Sequence, residues 1–81
     1  MSADRFGEKL LRLRRARGWS LAVLASRLGY KSRGYLSEVE TGAKGPSVDL
    51  VVRAARLFKV TTDELLFDER EVDELEARGP V

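Results

Sequence analysis

The clearest pattern of apolar and polar positions lies between residues 20 and 42. One apolar stripe recurs at i, i+3, i+4 and i+7 and predicts a short helix: Leu21, Leu24, Ala25 and Leu28. A second short helix is predicted around Leu36 and Val39, which lie three residues apart. Residues suited to capping or ending a helix flank both segments: Ser20, Gly29, Ser32 and Gly42. Residues 21–41 are therefore predicted to form two helices joined by a turn.

The second of these helices has a mostly polar front. The small side chain of Ala25 and the tight turn allowed at Gly29 let the two helices cross steeply and closely, which leaves that front uncovered. The residues on it are Arg33, Gly34, Tyr35, Ser37 and Glu38. Such a face is typical either of an ordinary surface on a helical bundle or of a helix that enters the major groove of DNA, and we favour the second interpretation.

Helices are also predicted on both sides of this pair. The first runs from about residue 4 to 17, with Lys9, Arg12 and Arg15 on its exposed faces. One stripe of this helix carries Phe6, Leu10, Leu13 and Arg17. A later helix, capped by Ser47, is predicted to bury Val48, Val51, Ala55 and Phe58. Thr61 and Glu64 form a capping box that opens a fifth helix. The predicted fold is a compact all-α domain of five helices over residues 1–67.

Composition excludes most enzyme chemistry. Histidine and cysteine are absent, which removes the usual general base, the thiol nucleophile and most zinc sites. No glycine-rich phosphate loop follows a predicted strand, no apolar run is long enough to cross a membrane, and no signal peptide is visible. We therefore expect a cytoplasmic protein without enzymatic activity, cofactor, metal or membrane partner.

Charge is distributed unevenly along the chain. Residues 1–62 carry 13 Lys and Arg against 5 Asp and Glu, a net charge of +8. Residues 63–81 carry 2 against 8, a net charge of −6. The basic body indicates a polyanion as partner, whereas the acidic tail of residues 68–81, which has helical spacing at Val72 and Leu75, is not expected to touch one.

An ordered set of motifs then suggests a family. The runs FGEKLLRLRRARGWSLAVLASRLGY, YLSEVETG and PSVDLVVRAARLFKVTTDELL cover residues 6–66. Together they resemble the Xre-type, phage-repressor-like helix-turn-helix family. The resemblance implies a DNA-binding transcriptional regulator, most simply a dimeric repressor that reads a pseudo-palindromic operator in double-stranded DNA.

The resemblance also implies roles for individual residues. Arg33 can hold a guanine with two hydrogen bonds, and Glu38 can accept from a cytosine amino group. Gly34, Tyr35 and Ser37 are the other predicted base contacts. The predicted phosphate contacts are Ser20, Leu21, Lys31, Thr41 and Lys44. At residue 21 the family usually has a glutamine, so the backbone amides there must contribute more. Arg14 and Glu40 match an ion pair that joins the first and third helices in the family.

Counting along the motif predicts an unusual turn. With Ala25 as its fifth residue, the family's usual spacing would bury Tyr35 and Glu38, and an unpaired buried carboxylate is costly. One extra residue in the turn at 30–32 moves those buried places to Leu36 and Val39 instead. We therefore predict a turn one residue longer than usual in the family.

The tail is assigned to assembly. Leu66, Phe67, Val72 and Leu75 supply apolar area for a homodimer interface, because one domain alone reads few base pairs. The alternative is a protein-interaction module or antitoxin-type adaptor on the same scaffold, with a second protein as partner and weak DNA binding. Three features favour this alternative: the leucine in place of the family's glutamine at residue 21, the longer turn and the acidic tail. The basic body and Arg33 favour DNA binding.

Overall fold

The computed structural model describes residues 5–66, and the helices there confirm the all-α prediction. Five α-helices follow one another, and no strand occurs within this range: α1 (Phe6–Ala16), α2 (Leu21–Leu28), α3 (Gly34–Thr41), α4 (Val48–Phe58) and α5 (Thr62–Leu66). Helix α3 packs on α1 and α2, while α4 packs on α2 and α5. None of the helices in residues 5–66 has the length and apolar character needed to cross a membrane.

The starts of α2, α4 and α5 follow the capping chemistry that the sequence predicts. The start of α3 does not, because its N-cap residue is Arg33, and Ser32, predicted as the cap, lies one residue earlier and accepts from the Gly34 amide at 3.1 Å. The Ser20 hydroxyl accepts from the Val23 amide at 3.1 Å, and the Ser47 hydroxyl accepts from the Leu50 amide at 3.0 Å. In the capping box, Glu64 N donates to Thr61 Oγ1 at 3.0 Å and Thr61 N donates to Glu64 Oε1 at 2.9 Å. These bonds satisfy amides that have no partner inside their own helix.

Left-handed residues end three of the helices. Gly29 ends α2 at φ 89° and Gly42 ends α3 at φ 87°. Lys59 ends α4 at φ 59°, so a residue with a Cβ occupies the conformation that glycine adopts most easily.

The buried core confirms which residues of α3 face inward. Leu36 is 0% exposed and Val39 is 1% exposed, as predicted. They join buried side chains from all five helices, the largest of which are Phe6, Leu10, Leu13, Leu24, Leu50 and Leu65. The inner face of α3 is therefore apolar, and residues 29–33 link it to α2.

Helices α1 and α3 approach each other closely at a glycine. Gly7 is buried, and a Cβ built there would collide with the carbonyl oxygen of Val39. Because only hydrogen occupies that position, the backbone of α1 can lie directly on α3. This contact brings the start of α1 to the last turn of α3.

Several sequence predictions about burial were wrong. Val48 is 81% exposed, because the core face of α4 is rotated toward Leu50 and Ala54. Lys9 is buried, because it lies on the apolar side of α1 and its Nζ donates to the carbonyl of Glu64 at 2.6 Å. That carbonyl lies near the end of α5, where helix carbonyls lack intrahelical partners.

The bounds and surroundings of α1 also differ from the prediction. Helix α1 ends at Ala16, so Arg17 lies outside it and is exposed. Trp19, in the loop between α1 and α2, packs its ring against Phe58 of α4 with centroids 5.8 Å apart. The guanidiniums of Arg17 and Arg27 lie 5.4 and 4.5 Å from the centroid of the Trp19 ring.

Candidate nucleic-acid interface

The outer face of α3 carries the residues predicted to contact bases. Arg33 is the N-cap residue and Gly34 the first residue of α3, and both are exposed. The Arg33 side chain makes no hydrogen bond or ion pair with any of residues 5–66, so its guanidinium is available to a ligand. Ser37 is half-buried one turn further along. The face thus begins with an unpaired cation and continues with small polar groups.

Glu38 and Lys44 pair with each other. The Lys44 ammonium lies 3.3 Å from a Glu38 carboxylate oxygen, and both side chains are about half exposed. Two further bonds hold the loop here, because the Lys44 amide and the Thr41 hydroxyl both donate to the Glu38 carbonyl at 3.1 Å. A DNA contact by Glu38 or Lys44 would therefore have to replace an existing exposed ion pair, which costs little.

The start of α2 offers the predicted phosphate site. Ser20 is exposed and uses its hydroxyl as the cap, so the amides of the first turn point outward with the positive end of the helix dipole. Leu21 is half-buried against the core, so its side chain serves packing and only its backbone faces this end. Lys31 is exposed in the turn before α3, and Thr41 is exposed as the last residue of α3.

An open groove separates α2 from the turn that leads to α3. Its volume is about 660 Å³, and small residues line it on the side of α2: Ala22 and Ser26 of that helix and Gly29 at its C-cap. Lys31 and Arg33 also line it. The turn thus forms a basic groove beside the N-terminal end of α3.

Two tyrosines tie the turn and α3 to α4. Tyr30 donates from its hydroxyl to Asp49 Oδ2 at 3.1 Å, and the Tyr35 hydroxyl accepts from the Ser47 amide at 2.9 Å. The two rings pack with centroids 6.0 Å apart. Partial burial, followed by the bond to Asp49, raises the pKa of Tyr30, since both disfavour the phenolate.

Arg53 completes this connection from α4. Its Nε donates to Asp49 Oδ2 at 2.8 Å, and one of its terminal nitrogens donates to the Leu28 carbonyl at 2.7 Å. The bond from Arg53 is also the main reason why the pKa of Asp49 is lowered. A Cβ at Gly29 would come within 2.6 Å of the end of the flexible Arg53 side chain and would displace it, while the left-handed φ of 89° is what favours glycine there.

The predicted pair between α1 and α3 is present. Arg14 Nε donates to Glu40 Oε2 at 2.8 Å, and a terminal nitrogen of Arg14 donates to Oε1 at 3.0 Å. The side chains are only 14% and 6% exposed. The bond to Glu40 raises the pKa of Arg14. The other terminal nitrogen of Arg14 donates to the Trp19 carbonyl at 3.0 Å, a partner that the sequence did not suggest.

Only one of the residues assigned to dimerisation lies within residues 5–66. Leu66, assigned to dimerisation, is half-buried and packs against the core, while Phe67, Val72, Leu75 and the rest of the acidic tail lie outside the described residues. No cluster of acidic side chains suited to a metal occurs within residues 5–66. No buried side-chain polar atom in that range lacks a hydrogen-bond partner.

Two of the comparisons with known proteins indicate a helix-turn-helix domain. A family model described as a helix-turn-helix domain matches residues 5–66. Similar curated proteins include an HTH-type transcriptional regulator, AnsR, of Bacillus subtilis, which is 36% identical over 64 residues, covering 79% of this chain and 54% of that protein. A probable DNA ligase of Anaeromyxobacter dehalogenans is 36% identical over 80 residues. Another from Anaeromyxobacter sp. strain K is 35% identical over 80 residues.

The extent of these matches is unequal. The similarity covers 98% of this chain but only 16% of each ligase. The chain thus spans about half the length of the Bacillus regulator and a much smaller share of the ligases. No solved structure gives a significant match.

Proposed function

The chain belongs to the helix-turn-helix domain family, and from this premise we propose that it binds double-stranded DNA through α3 and regulates transcription. The observation that carries the proposal is the unpaired, exposed Arg33 at the start of α3, beside the open amide end of α2. A guanidinium in that place can reach the N7 and O6 atoms of a guanine while the α2 amides hold a phosphate. The name of the Bacillus relative supports the regulatory role.

The division of labour on DNA follows from exposure and charge. The residues that face the bases are Arg33, Gly34 and Ser37. Where a cytosine is present, Glu38 leaves its ion pair with Lys44 and accepts a hydrogen bond from the cytosine amino group. Ser20, the amides after it, Lys31, Thr41 and Lys44 meet phosphates. We assign no catalytic role to this domain, because the similarity to the ligases is confined to a small part of each ligase.

Binding to random-sequence duplex DNA over a series of salt concentrations tests the proposal first. Each phosphate neutralised by Lys or Arg makes log K fall by about 0.9 per unit of log salt. We expect a linear fall with a slope corresponding to several phosphates, and a shallower slope for Lys31→Ala. Arg15→Ala is the matched control, since Arg15 is an exposed arginine on α1 and is not assigned to DNA. Absence of binding at low salt would contradict the proposal.

We also propose that the regulator is a homodimeric repressor. Two domains are needed to read half-sites about 34 Å apart, and occupancy of a promoter is enough to repress it. Leu66, Phe67, Val72 and Leu75 are assigned to the interface. Deleting residues 68–81 should weaken self-association and operator binding together while the helical domain stays folded. Sedimentation of an unchanged dimer would place the interface elsewhere.

A protein-interaction module is the second candidate. The Glu38–Lys44 pair favours it, because two residues assigned to DNA already satisfy each other's charge. Such a module would show almost no binding to random duplex DNA, even at low salt. The salt series therefore separates the two candidates.

A further inference from the structure

We infer that a set of α4-centred contacts, and not the turn itself, fixes the position of the N-terminal end of α3. We call this set the tyrosine anchor and define it by Tyr30, Tyr35, Ser47, Asp49 and Arg53. The inference rests on the proposed function only for its effect on DNA recognition. The positional claim stands on contacts within the domain.

The turn is poorly suited to hold α3 by itself. Five residues separate the end of α2 at Leu28 from the start of α3 at Gly34. Gly29 takes a left-handed conformation, and the N-cap residue Arg33 makes no side-chain capping bond. The local bonds lie at the two ends of the turn. The Gly29 and Tyr30 amides donate to the Ser26 and Ala25 carbonyls of α2, and the Gly34 amide donates to the Ser32 hydroxyl at 3.1 Å. These bonds hold each end of the turn to its own helix and do not join α2 to α3, so they restrict the direction of α3 only weakly.

The anchor supplies the missing restraint from α4. It joins the Leu28 carbonyl at the end of α2, the turn at Tyr30 and the first turn of α3 at Tyr35 to the first two turns of α4. Arg53 links these points, since it donates to both Asp49 and Leu28 and lies 5.3 Å from the centroid of the Tyr30 ring. The end of α2, the turn and the first turn of α3 are therefore all held by contacts with α4.

The anchor also changes the role of Tyr35. Its hydroxyl is already an acceptor for the Ser47 amide, and its half-buried ring packs on Tyr30 and the core. Tyr35 is accordingly a positioning residue that sets the reach of Arg33. Tyr30, which lies outside the predicted contact set, has the same role from the turn.

The test compares the double variant Tyr30→Phe/Tyr35→Phe with the control Thr61→Ala. The double variant keeps both rings and removes only two hydroxyls. The control removes one capping hydroxyl at α5, far from the turn in sequence. The first readout needs no DNA: hydrogen exchange of the α3 amides, normalised to that of α1. We expect exchange in α3 to rise about tenfold in the double variant, since each hydrogen bond contributes up to roughly that factor, and not in the control.

The second readout is the ratio of affinities for an operator fragment, selected from genomic DNA, and for random duplex. We expect the double variant to lose about tenfold in this ratio, because misplaced base contacts are lost while phosphate contacts remain. A ratio and an exchange rate no different from those of the control would overturn the inference. If the wild-type protein binds no duplex, the proposed function fails, and the exchange readout alone still decides the positional claim.

Discussion

The two ends of α3 are held by different kinds of contact. At the C-terminal end, Glu40 forms two charge-assisted bonds to Arg14 in a nearly buried site, and Gly7 allows α1 to lie against the backbone. At the N-terminal end, Tyr30 and Tyr35 make exposed hydrogen bonds to the start of α4, one to the Asp49 carboxylate and one from the Ser47 amide. A buried pair is costly to break, whereas an exposed hydrogen bond competes with water. The end that would read DNA is thus the end that is easier to adjust.

Breaking the buried pair should have the largest effect on stability. We expect Glu40→Ala to lower the free energy of unfolding by about 3 kcal/mol, because the Arg14 guanidinium is left with little access to water. Arg14→Ala should have a similar cost. The double variant should lose less free energy of unfolding than the two single variants together, because the effects of residues in contact are not additive. Urea titrations measure all three losses. Additive midpoints would show that the two residues do not interact.

The second-largest loss of stability is expected when a methyl group is placed between α1 and α3. Gly7→Ala places a methyl group against the Val39 carbonyl, and we expect a loss of about 1–3 kcal/mol despite the better helix propensity of alanine. Gly34→Ala is the matched change at the other end of α3. Its Cβ would meet only the Ser32 hydroxyl at 3.5 Å, so stability should stay equal or rise by about 0.5–1 kcal/mol. Thermal unfolding of both variants gives the comparison, and equal destabilisation would contradict it.

The sequence could predict the C-terminal end of α3 better than the N-terminal end. The spacing of Leu36 and Val39 established which face of α3 is inward, and the family pattern paired Arg14 with Glu40. Both depend on positions within the motif, which carry over between related chains. The bonds of Tyr30 and Tyr35 depend instead on how α4 lies across the turn, and no local pattern encodes that placement. Only the i,i+4 pair of Asp49 and Arg53 could have been read from the sequence.

Two errors about burial have the same physical origin. Val48 fits an apolar stripe of α4, but the core face of that helix passes through Leu50 and Ala54 and leaves Val48 exposed. Lys9 looks like a surface cation, yet its stem packs on the apolar side of α1 and its charge reaches the Glu64 carbonyl. In both cases the apolar spacing was clear, and the side of the helix that meets its neighbours decided which residue is buried.

Removing one hydroxyl from the N-terminal end should cost little stability. We expect Tyr30→Phe to change the free energy of unfolding by no more than about 1 kcal/mol, since its bond to Asp49 is exposed and water can replace it. Urea titration beside Glu40→Ala measures the contrast directly. A loss as large as that of Glu40→Ala would mean that both ends are held equally firmly.

The smallest expected effect is a shift in titration. Because the fold raises the pKa of Tyr30, its contribution to stability is present below the unfolded value of about 10 and is lost as pH rises through the folded value. Ultraviolet titration should show a tyrosine signal that disappears in Tyr30→Phe. Its midpoint should move down in Asp49→Asn, since the carboxylate disfavours the phenolate. An unmoved midpoint would show that Asp49 does not act on Tyr30.

The central claim is that α3 reads bases through Arg33, and the affinities of Arg33→Ala test it most directly. They should be measured on an operator fragment selected from genomic DNA and on random duplex, beside Arg15→Ala. We expect Arg33→Ala to lose about 1–3 kcal/mol more on the operator than on random duplex, with discrimination relaxed at one base position in each half-site. Arg15→Ala should lose little on either DNA. An equal loss on both DNAs for Arg33→Ala would make Arg33 a phosphate contact and contradict base reading by this residue.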